Sequence, residues 1–351
     1  MSPRSARVGR TACASFAGVA LVGWSAAAPA VDFAVGPANA ELLLAAGAQG
    51  ATFEDPRDGA RGEDGDFNWA ARLDVEWITD RGLTLGLRAE VDDGGRRSEE
   101  LNRDELYVYA AGSFGRVEVG EQDGPADVMS FHAPVLALGQ VRGDFARYAG
   151  SVASLSPADT ADSFKLVYLS PPLRGLRFGL SYTPEFEVNG SDPDLRRRVV
   201  QNDVVEAGAQ YETPLADEWL LGASAALVRG NADPRTTRRD LSAWSTGVQL
   251  RRDSLVLGAA YVSNGDSSDL VVNDEREWNI GAAWREERWG AAASFAQVRS
   301  RLLDNRLVGI GGFRRLGEYV IVRADVVHVD ERRPTSAGDG YVALLEVAVE
   351  L

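Results

Sequence analysis

The sequence predicts an all-β fold: a transmembrane antiparallel β-barrel of 16 strands, with a long internal loop folded into its lumen. Three observations lead to this prediction. Apolar and polar residues alternate with a period of two in segment after segment, which is typical of strands with one apolar and one wet face. Short turns alternate with long polar connections, and aromatic residues gather near the strand ends. A barrel with a lipid-facing band and a polar lumen combines these features.

The alternation is clearest in the segment 66–79. Phe67 and Leu73 stand at odd positions, whereas Arg72 and Asp74 stand at even positions, so one face is apolar and the other is charged. A tight turn leads from this segment into a second one of the same kind, and the two together predict a β-hairpin. Sixteen segments follow the pattern: 40–54, 66–79, 82–92, 103–112, 115–121, 162–170, 175–183, 202–212, 218–229, 241–251, 254–263, 276–285, 288–299, 305–315, 318–329 and 340–351.

The connections between these segments differ in length on the two sides of the predicted barrel. Seven short turns alternate with eight long polar connections, including 55–65, 184–201 and 330–339, so both termini fall on the short-turn side. This arrangement is typical of outer-membrane barrels. Aromatic residues near the short turns (Trp77, Trp219, Trp284, Trp289, Phe313) and near the long loops (Phe53, Tyr182, Tyr261, Tyr341) predict two interfacial girdles. A soluble β-sandwich with one wet face is the alternative fold.

Composition and charge exclude several classes of protein. Hydrophobic residues make up 45% of the 351 residues and charged residues 25%, whereas a bundle of membrane helices needs several apolar runs of about 20 residues. The net charge is -15. A chain this acidic is a poor ligand for nucleic acid, because neutralising phosphates requires clustered Lys and Arg. We therefore expect no nucleic-acid partner.

Residues 1–30 are predicted to be a signal peptide, followed by the barrel at 41–351. The leader begins with three arginines and no acid, continues with an uncharged stretch, and ends in the small-residue site at 28–30; a second such site at 38–40 predicts an alternative cleavage after 40. Removing the three arginines changes the net charge from -15 to -18. The single cysteine, Cys13, lies in the leader, so the mature chain would have neither a disulfide nor a cysteine metal site.

The sequence does not predict an enzyme. A hydrolytic triad needs a histidine near a nucleophile, and the two histidines, His132 and His328, are not accompanied by a Gly-x-Ser-x-Gly elbow. The acidic segment 55–66 does not have the ligand spacing of an EF-hand loop. We expect no catalytic residues, no cofactor and no metal.

The segment 104–125, DELYVYAAGSFGRVEVGEQDGP, carries a family resemblance. Its strand with Tyr107 and Tyr109, its turn at 113–115 and its Gln122-Asp123 pair resemble the trimeric, sixteen-stranded general porins of Gram-negative bacteria. The chain ends in Leu351, where that family usually ends in Phe. The resemblance implies export to the outer membrane, contact with the bilayer and lipopolysaccharide, a homotrimer, and passive diffusion of ions and small hydrophilic solutes. A solute-specific or adhesive barrel, or a secreted soluble β-sandwich that binds a ligand, remains the alternative.

The longest connection, 122–161, is the predicted functional element. Loops beyond about 12 residues are uncommon without a function, and this one contains the apolar stretches 128–129 and 135–138, which a solvated loop would not favour. We therefore expect it to fold into the lumen against the inner wall. The resemblance implies that it narrows the pore.

Charged residues of the inner wall and of this loop are the predicted pore constriction. The wall residues are Arg72, Arg88 and Arg103, and the loop residues are Asp123, Asp127, Arg142, Asp144 and Arg147. The resemblance implies that basic wall residues face acidic loop residues across the opening. Since fixed charges in a channel select ions by sign, the excess of acid over the whole chain predicts a mild preference for cations.

Overall fold

The computed structural model describes residues 30–92, 102–138, 148, 153–188, 198–215, 218–236, 239–267 and 273–351. Seventeen strands and one short helix lie in these ranges. In chain order they are β1 (Val31–Val35), β2 (Ala38–Glu54), β3 (Arg61–Ile78), β4 (Thr84–Asp92), β5 (Asn102–Gly112), β6 (Gly115–Glu121), α1 (Pro125–Val128), β7 (Phe164–Leu169), β8 (Leu176–Val188), β9 (Arg198–Pro214), β10 (Leu220–Ala232), β11 (Leu241–Arg252), β12 (Leu255–Gly265), β13 (Glu275–Arg285), β14 (Trp289–Arg299), β15 (Asp304–Arg315), β16 (Val320–Arg333) and β17 (Ser336–Glu350).

Strands β2 to β17 form a closed antiparallel barrel of 16 strands, as the sequence predicts. Each strand pairs with its neighbours in the sequence, and β17 closes the sheet on β2 through a register that runs from Tyr341↔Glu54 to Glu350↔Ala45. Closure leaves no free sheet edge between the first and last barrel strands. The alternative of a soluble β-sandwich is wrong, because the strands form one closed sheet and not two packed ones.

Strand β1 is an additional strand that the sequence pattern did not predict. It pairs with the first residues of β2, with Val31 opposite Leu42. Leu44 of β2 exchanges backbone hydrogen bonds of 2.8 and 2.7 Å with Leu351. Strand β3 pairs with the opposite edge of β2. Strands β1 and β17 therefore pair with the same edge of β2, and β1 begins where β17 ends. Five residues are too few for the alternation to stand out next to an apolar leader.

Several strands extend beyond the predicted ends on the long-loop side. The clearest case is the predicted long connection 330–339, which is a two-residue turn between Arg333 and Ser336 at the ends of β16 and β17. These outer positions are polar, and the side chains of Arg333 and Glu331 form an ion pair. The apolar alternation therefore stops at the membrane boundary, whereas the backbone ladder continues past it.

The two faces of the barrel wall differ in exposure, as the alternation predicts. Phe67, Ile310 and Leu345 on the outer face are between 54 and 63% exposed in the isolated chain, which is the face a bilayer would cover. Two of the predicted girdle aromatics, Phe53 and Phe313, are exceptions, because they occupy inward positions of β2 and β15. The Phe53 ring lies inside the barrel, 4.8 Å from the ring of Tyr148.

Two apolar clusters lie on the inner face, beneath the internal loop. One joins β2 and β14–β17 to loop residues, and its members are Ala51, Leu138, Tyr148, Ala153, Leu155, Ala296, Val298, Leu307, Val327, Val329, Val342 and Leu344. The other joins Ala126 to β9–β11 through Val204, Ala226, Val228, Leu241 and Ala243. The loop therefore lies within the barrel, and burying its apolar residues stabilises that position.

No helix among the described residues is long and apolar enough to cross a membrane.

Candidate functional site

The internal loop leaves the barrel wall immediately after β6. Gly124 follows the strand, and α1 (Pro125–Val128) directs the chain toward the inner faces of β8–β10. A side chain at position 124 would overlap the carboxylate of Glu206 on β9, so glycine permits this close approach. Met129 and Leu138, which follow, are both buried.

The outgoing leg of the loop (residues 125–138) is hydrogen-bonded to the strands that it crosses. The three bonds from its second half are Phe131 N–H to Ser224 Oγ at 2.8 Å, Ala133 N–H to Asn279 Oδ1 at 2.8 Å, and Ser294 Oγ–H to Pro134 O at 2.9 Å. Buried backbone groups need such partners in a segment without regular structure. Polar side chains on β10, β13 and β14 therefore fix the path of this leg.

The return leg (residues 153–163) is attached to the same part of the barrel. Its backbone donates from Ser154 and Leu155 to Glu277 at 2.6 and 3.1 Å, and from Ala158 to Asn264 at 2.8 Å, while Thr160 Oγ1 donates to Glu206 at 2.6 Å. Strands β8–β15, which we call the loop-bearing wall, thus hold both legs. Asp159 of the same leg lies near Glu206. Burial raises the pKa of Asp159 to about 7, and the Glu206 carboxylate adds to this increase.

The inner face of β3–β6, which we call the open wall, has charged and aromatic residues instead. Arg72 and Arg88 both pair with Asp74, at 3.2 and 2.6 Å, and Arg88 also lies 3.5 Å from Glu105. Arg116 on β6 belongs to the same group. Arg72 and Arg116 each pair with the next inward carboxylate of their own strand, whereas Arg88 pairs with carboxylates on both neighbouring strands, because inward positions of adjacent antiparallel strands lie side by side.

Arg116 is a member of this group that was not predicted from the sequence. Its guanidinium forms an ion pair with Glu118 and lies 3.4 Å from the centre of the Tyr109 ring, a cation–π contact. The Tyr109 hydroxyl in turn donates to Glu76. The alternation of Arg116, Glu118 and Gly120 after the short turn was the signal that would have identified this inward-facing arginine.

A group of carboxylates lies where the two legs of the loop meet the open wall. Carboxylate oxygens of Glu105, Asp123 and Asp162 are within 4.8 Å of one another. Burial and then the nearby Asp127 raise the pKa of Asp123 to about 9, and burial also raises the pKa of Asp162. Three carboxylates could supply oxygen ligands to a cation, and they form the one such group among the described residues. Of these three carboxylates, Asp123 alone was predicted from the sequence.

The sequence-predicted constriction residues fall into three groups. Arg72 and Arg88 lie together on the open wall, and Asp123 and Asp127 lie at the start of the loop. Arg103 is in β5, opposite Val91, and its side chain lies outside the described part of the chain. Arg142, Asp144 and Arg147 also lie outside the described residues.

Sequence comparison identifies the family. The chain matches the model of the Gram-negative porin family over residues 14–334. No curated protein sequence matches the chain significantly.

Solved structures with the same fold include three porins. The chain is similar to the anion-selective porin from Comamonas acidovorans, with 13% identity over 90% of this chain and 100% of that one, and a TM-score of 0.64. OmpF from Salmonella typhi, solved in complex with daunomycin, shares 14% identity over 89% of this chain and 98% of its own, with a TM-score of 0.66. A mutant of the Rh. blastica porin shares 17% identity over 89% and 100%, with a TM-score of 0.59.

The closed barrel, the internal loop and the charged inner wall define an outer-membrane β-barrel channel. The chain belongs to the Gram-negative porin family, whose members reside in the outer membrane.

Proposed function

We propose that this porin forms a water-filled channel for passive diffusion of ions and small hydrophilic solutes, with a mild preference for cations. The observation that supports this most directly is the contrast inside the barrel. The described parts of the loop pack on β8–β17 and on β2, whereas Arg72, Arg88 and Arg116 with their carboxylate partners line β3–β6. Charged side chains on an inner wall are expensive to bury in a dry core, so we infer that water occupies the space before the open wall.

The proposed cation preference rests on the local balance of charge. Carboxylates outnumber cationic groups around the open wall and the two ends of the loop. The only lysine of the chain, Lys165, also lies there, 3.8 Å from Glu206. Because the pKa of Asp123 is about 9, this carboxyl is mostly neutral at neutral pH. We therefore propose a weak preference and not a strong one.

Single-channel recording in planar bilayers tests the proposed function. Purified protein should insert and produce stepwise, ohmic openings in KCl. Openings that one solute blocks would favour a solute-specific barrel instead, and insertion without openings would overturn the proposal of a channel. We also propose that the protein is a channel and not an enzyme, so this recording is its functional assay.

We propose that the protein is a trimer surrounded by lipid and, in the outer leaflet, by lipopolysaccharide. Small residues form a patch on the outer face of β13–β15, where the exposed Ala282 pairs with Ala293 and the exposed Ala291 pairs with the half-buried Gly312. Small side chains let neighbouring barrels approach closely. Unheated protein should migrate as a trimer on a denaturing gel, and heated protein as a monomer; equal mobility would count against the trimer.

We propose that the signal peptide is cleaved after Ala30. The alternative site ends at Ala40, inside β2, where cleavage would remove β1 and the first three residues of β2. Residues 39–42 of β2 pair with both β1 and β3. The mass of the mature protein should correspond to a chain that begins at Val31, and a chain that begins at Glu41 would contradict this proposal.

A further inference from the structure

A row of eight glycines runs around the inner face of the loop-bearing wall, one on each consecutive strand. They are Gly179, Gly208, Gly222, Gly247, Gly258, Gly281, Gly290 and Gly311, on β8 to β15. The outgoing leg passes along this row in sequence order, from Pro125 at the first two glycines, through Phe131 and His132 at the middle ones, to Ala137, 3.0 Å from a Cβ on the last. None of the eight has a φ in the left-handed region. These glycines therefore matter because they lack a side chain, and not because of their backbone conformation.

A Cβ added at any of the first five glycines would be nearest to an atom of the loop, whereas at the last three the nearest atom belongs to the wall and the loop lies at 3.0–3.1 Å. A Cβ on Gly222 would lie 2.6 Å from the Phe131 ring, whereas a Cβ on Gly247 or Gly258 would overlap the carbonyl oxygens of Phe131 and His132. The first contact is with a side chain and the other two are with backbone. Glycine within a strand commonly marks a place where another backbone approaches closely.

A general preference for small inward side chains on this wall does not explain the row of glycines. On β10 to β14 the inner face also has Ala226, Ala243, Ala260, Ala283 and Ala292, all buried. Alanine is therefore accommodated at neighbouring inward positions of these strands. At Gly247 and Gly258, by contrast, an added methyl group would meet a carbonyl oxygen that is held in place, since Phe131 N–H is bonded to Ser224 and Ala133 N–H to Asn279.

We propose that this glycine row sets the bore of the channel by determining how close to the wall the outgoing leg lies. The inference rests on the proposed channel function. The glycines are positioning residues, since they act through the loop and do not contact the solute. A close-packed interior has no free volume in which to absorb an added methyl group. At Gly247 the loop backbone must therefore move into the lumen and narrow it.

The test compares single-channel conductance in five variants, one of them a control, with that of the wild type. Gly247→Ala should lower conductance roughly 1.5-fold, because pore diameter limits ion flow. Gly222→Ala should lower it too, and adding Phe131→Ala should restore it, since the obstruction there is a ring. The same Phe131→Ala change should not restore Gly247→Ala, where the obstruction is a carbonyl oxygen. The matched control is Gly50→Ala, because Gly50 is exposed and a Cβ there would have no atom within 4 Å.

Folding is checked separately by the shift in gel mobility on heating. If Gly247→Ala does not fold, Gly222→Ala and its combination with Phe131→Ala decide the question, because a ring can be displaced or removed without moving backbone. Unchanged or higher conductance in the folded glycine variants would overturn the proposal, as would rescue of Gly247→Ala by Phe131→Ala. A wild-type protein that forms no channel would instead overturn the proposed function, so the two failures are distinguishable.

Discussion

The inner face of the loop-bearing wall and the inner face of the open wall differ in what they contact. The loop-bearing wall has glycine, alanine and a few buried polar side chains, and it binds the backbone of the loop. The open wall has arginines, carboxylates and tyrosines, and its charged groups pair with one another along the strands and across them. Both walls have the same period-two pattern and an apolar outer face. The choice of inward residues alone therefore decides which wall packs against protein and which one faces water.

The largest effect should come from removing a buried charge on the loop-bearing wall. Glu206 and Lys165 are both fully buried, with Lys165 Nζ 3.8 Å from the carboxylate, and Glu206 also accepts from Thr160. Glu206→Ala takes this carboxylate away from the buried ammonium group, and removing one partner of a buried ion pair typically costs about 3–5 kcal/mol. Urea unfolding in detergent would measure the loss of stability.

The control for this change is an exposed pair on the rim of the barrel. Arg61 is 76% exposed and lies 3.0 Å from Glu54. Arg61→Ala should leave the free energy of unfolding unchanged, because solvent screens such pairs. Equal effects of Glu206→Ala and Arg61→Ala would remove the distinction between a buried loop anchor and a surface ion pair.

The second prediction concerns the outer face of the open wall. Leu73 is adjacent to the inward Arg72 and shares its face with Phe67, which is 61% exposed. Leu73→Arg should lower the free energy of unfolding by roughly 2–4 kcal/mol if the residue lies near the middle of the membrane. Leu73→Ala controls for lost apolar area. An arginine variant as stable as the alanine variant would mean that the strand faces are exchanged, because a slip of one residue inverts them.

The third prediction concerns pH and the ends of the loop. The pKa values of Asp159 and Asp123 are raised to about 7 and about 9, so both carboxyls are neutral well below these values and become charged as the pH rises. Negative charge therefore accumulates between pH 6 and pH 9, and the preference for cations should increase. Zero-current potentials across this range would measure the change. Asp123→Asn with Asp159→Asn should flatten the dependence; a slope that persists in this variant would assign it to other groups.

The sequence was sufficient to predict the barrel because period-two alternation is a local property of each strand. It was also sufficient to place Arg72 and Arg88 on the inner face. It did not predict β1, whose short alternation adjoins the leader, nor the extension of β16 to Arg333, where both strand faces are wet. Strand ends outside a membrane have no apolar signal, so their pairing is visible only in the folded sheet.

The site was harder to predict than the fold, because its members come together across strands and loop. Glu105 and Asp162 are distant from each other in sequence, yet both have carboxylate oxygens near Asp123. Such proximity depends on strand register and on the path of the loop, neither of which alternation specifies. The apolar stretch 135–138 did indicate that the loop folds inward. It could not indicate which wall the loop would contact.

The decisive measurement is the zero-current potential in a KCl gradient, on the wild type and on the double variant Arg72→Ala with Arg88→Ala. It tests most directly whether the charges of the open wall determine the ion selectivity of the channel. The wild type should show a small cation preference that fades at 1 M salt, where the Debye length is about 3 Å. Removing the two arginines exposes the charge of Asp74 and Glu105, so the potential of the double variant should shift further toward cations. An identical potential in the two proteins would contradict this role of the open wall, and an anion preference in the wild type would contradict the proposed selectivity.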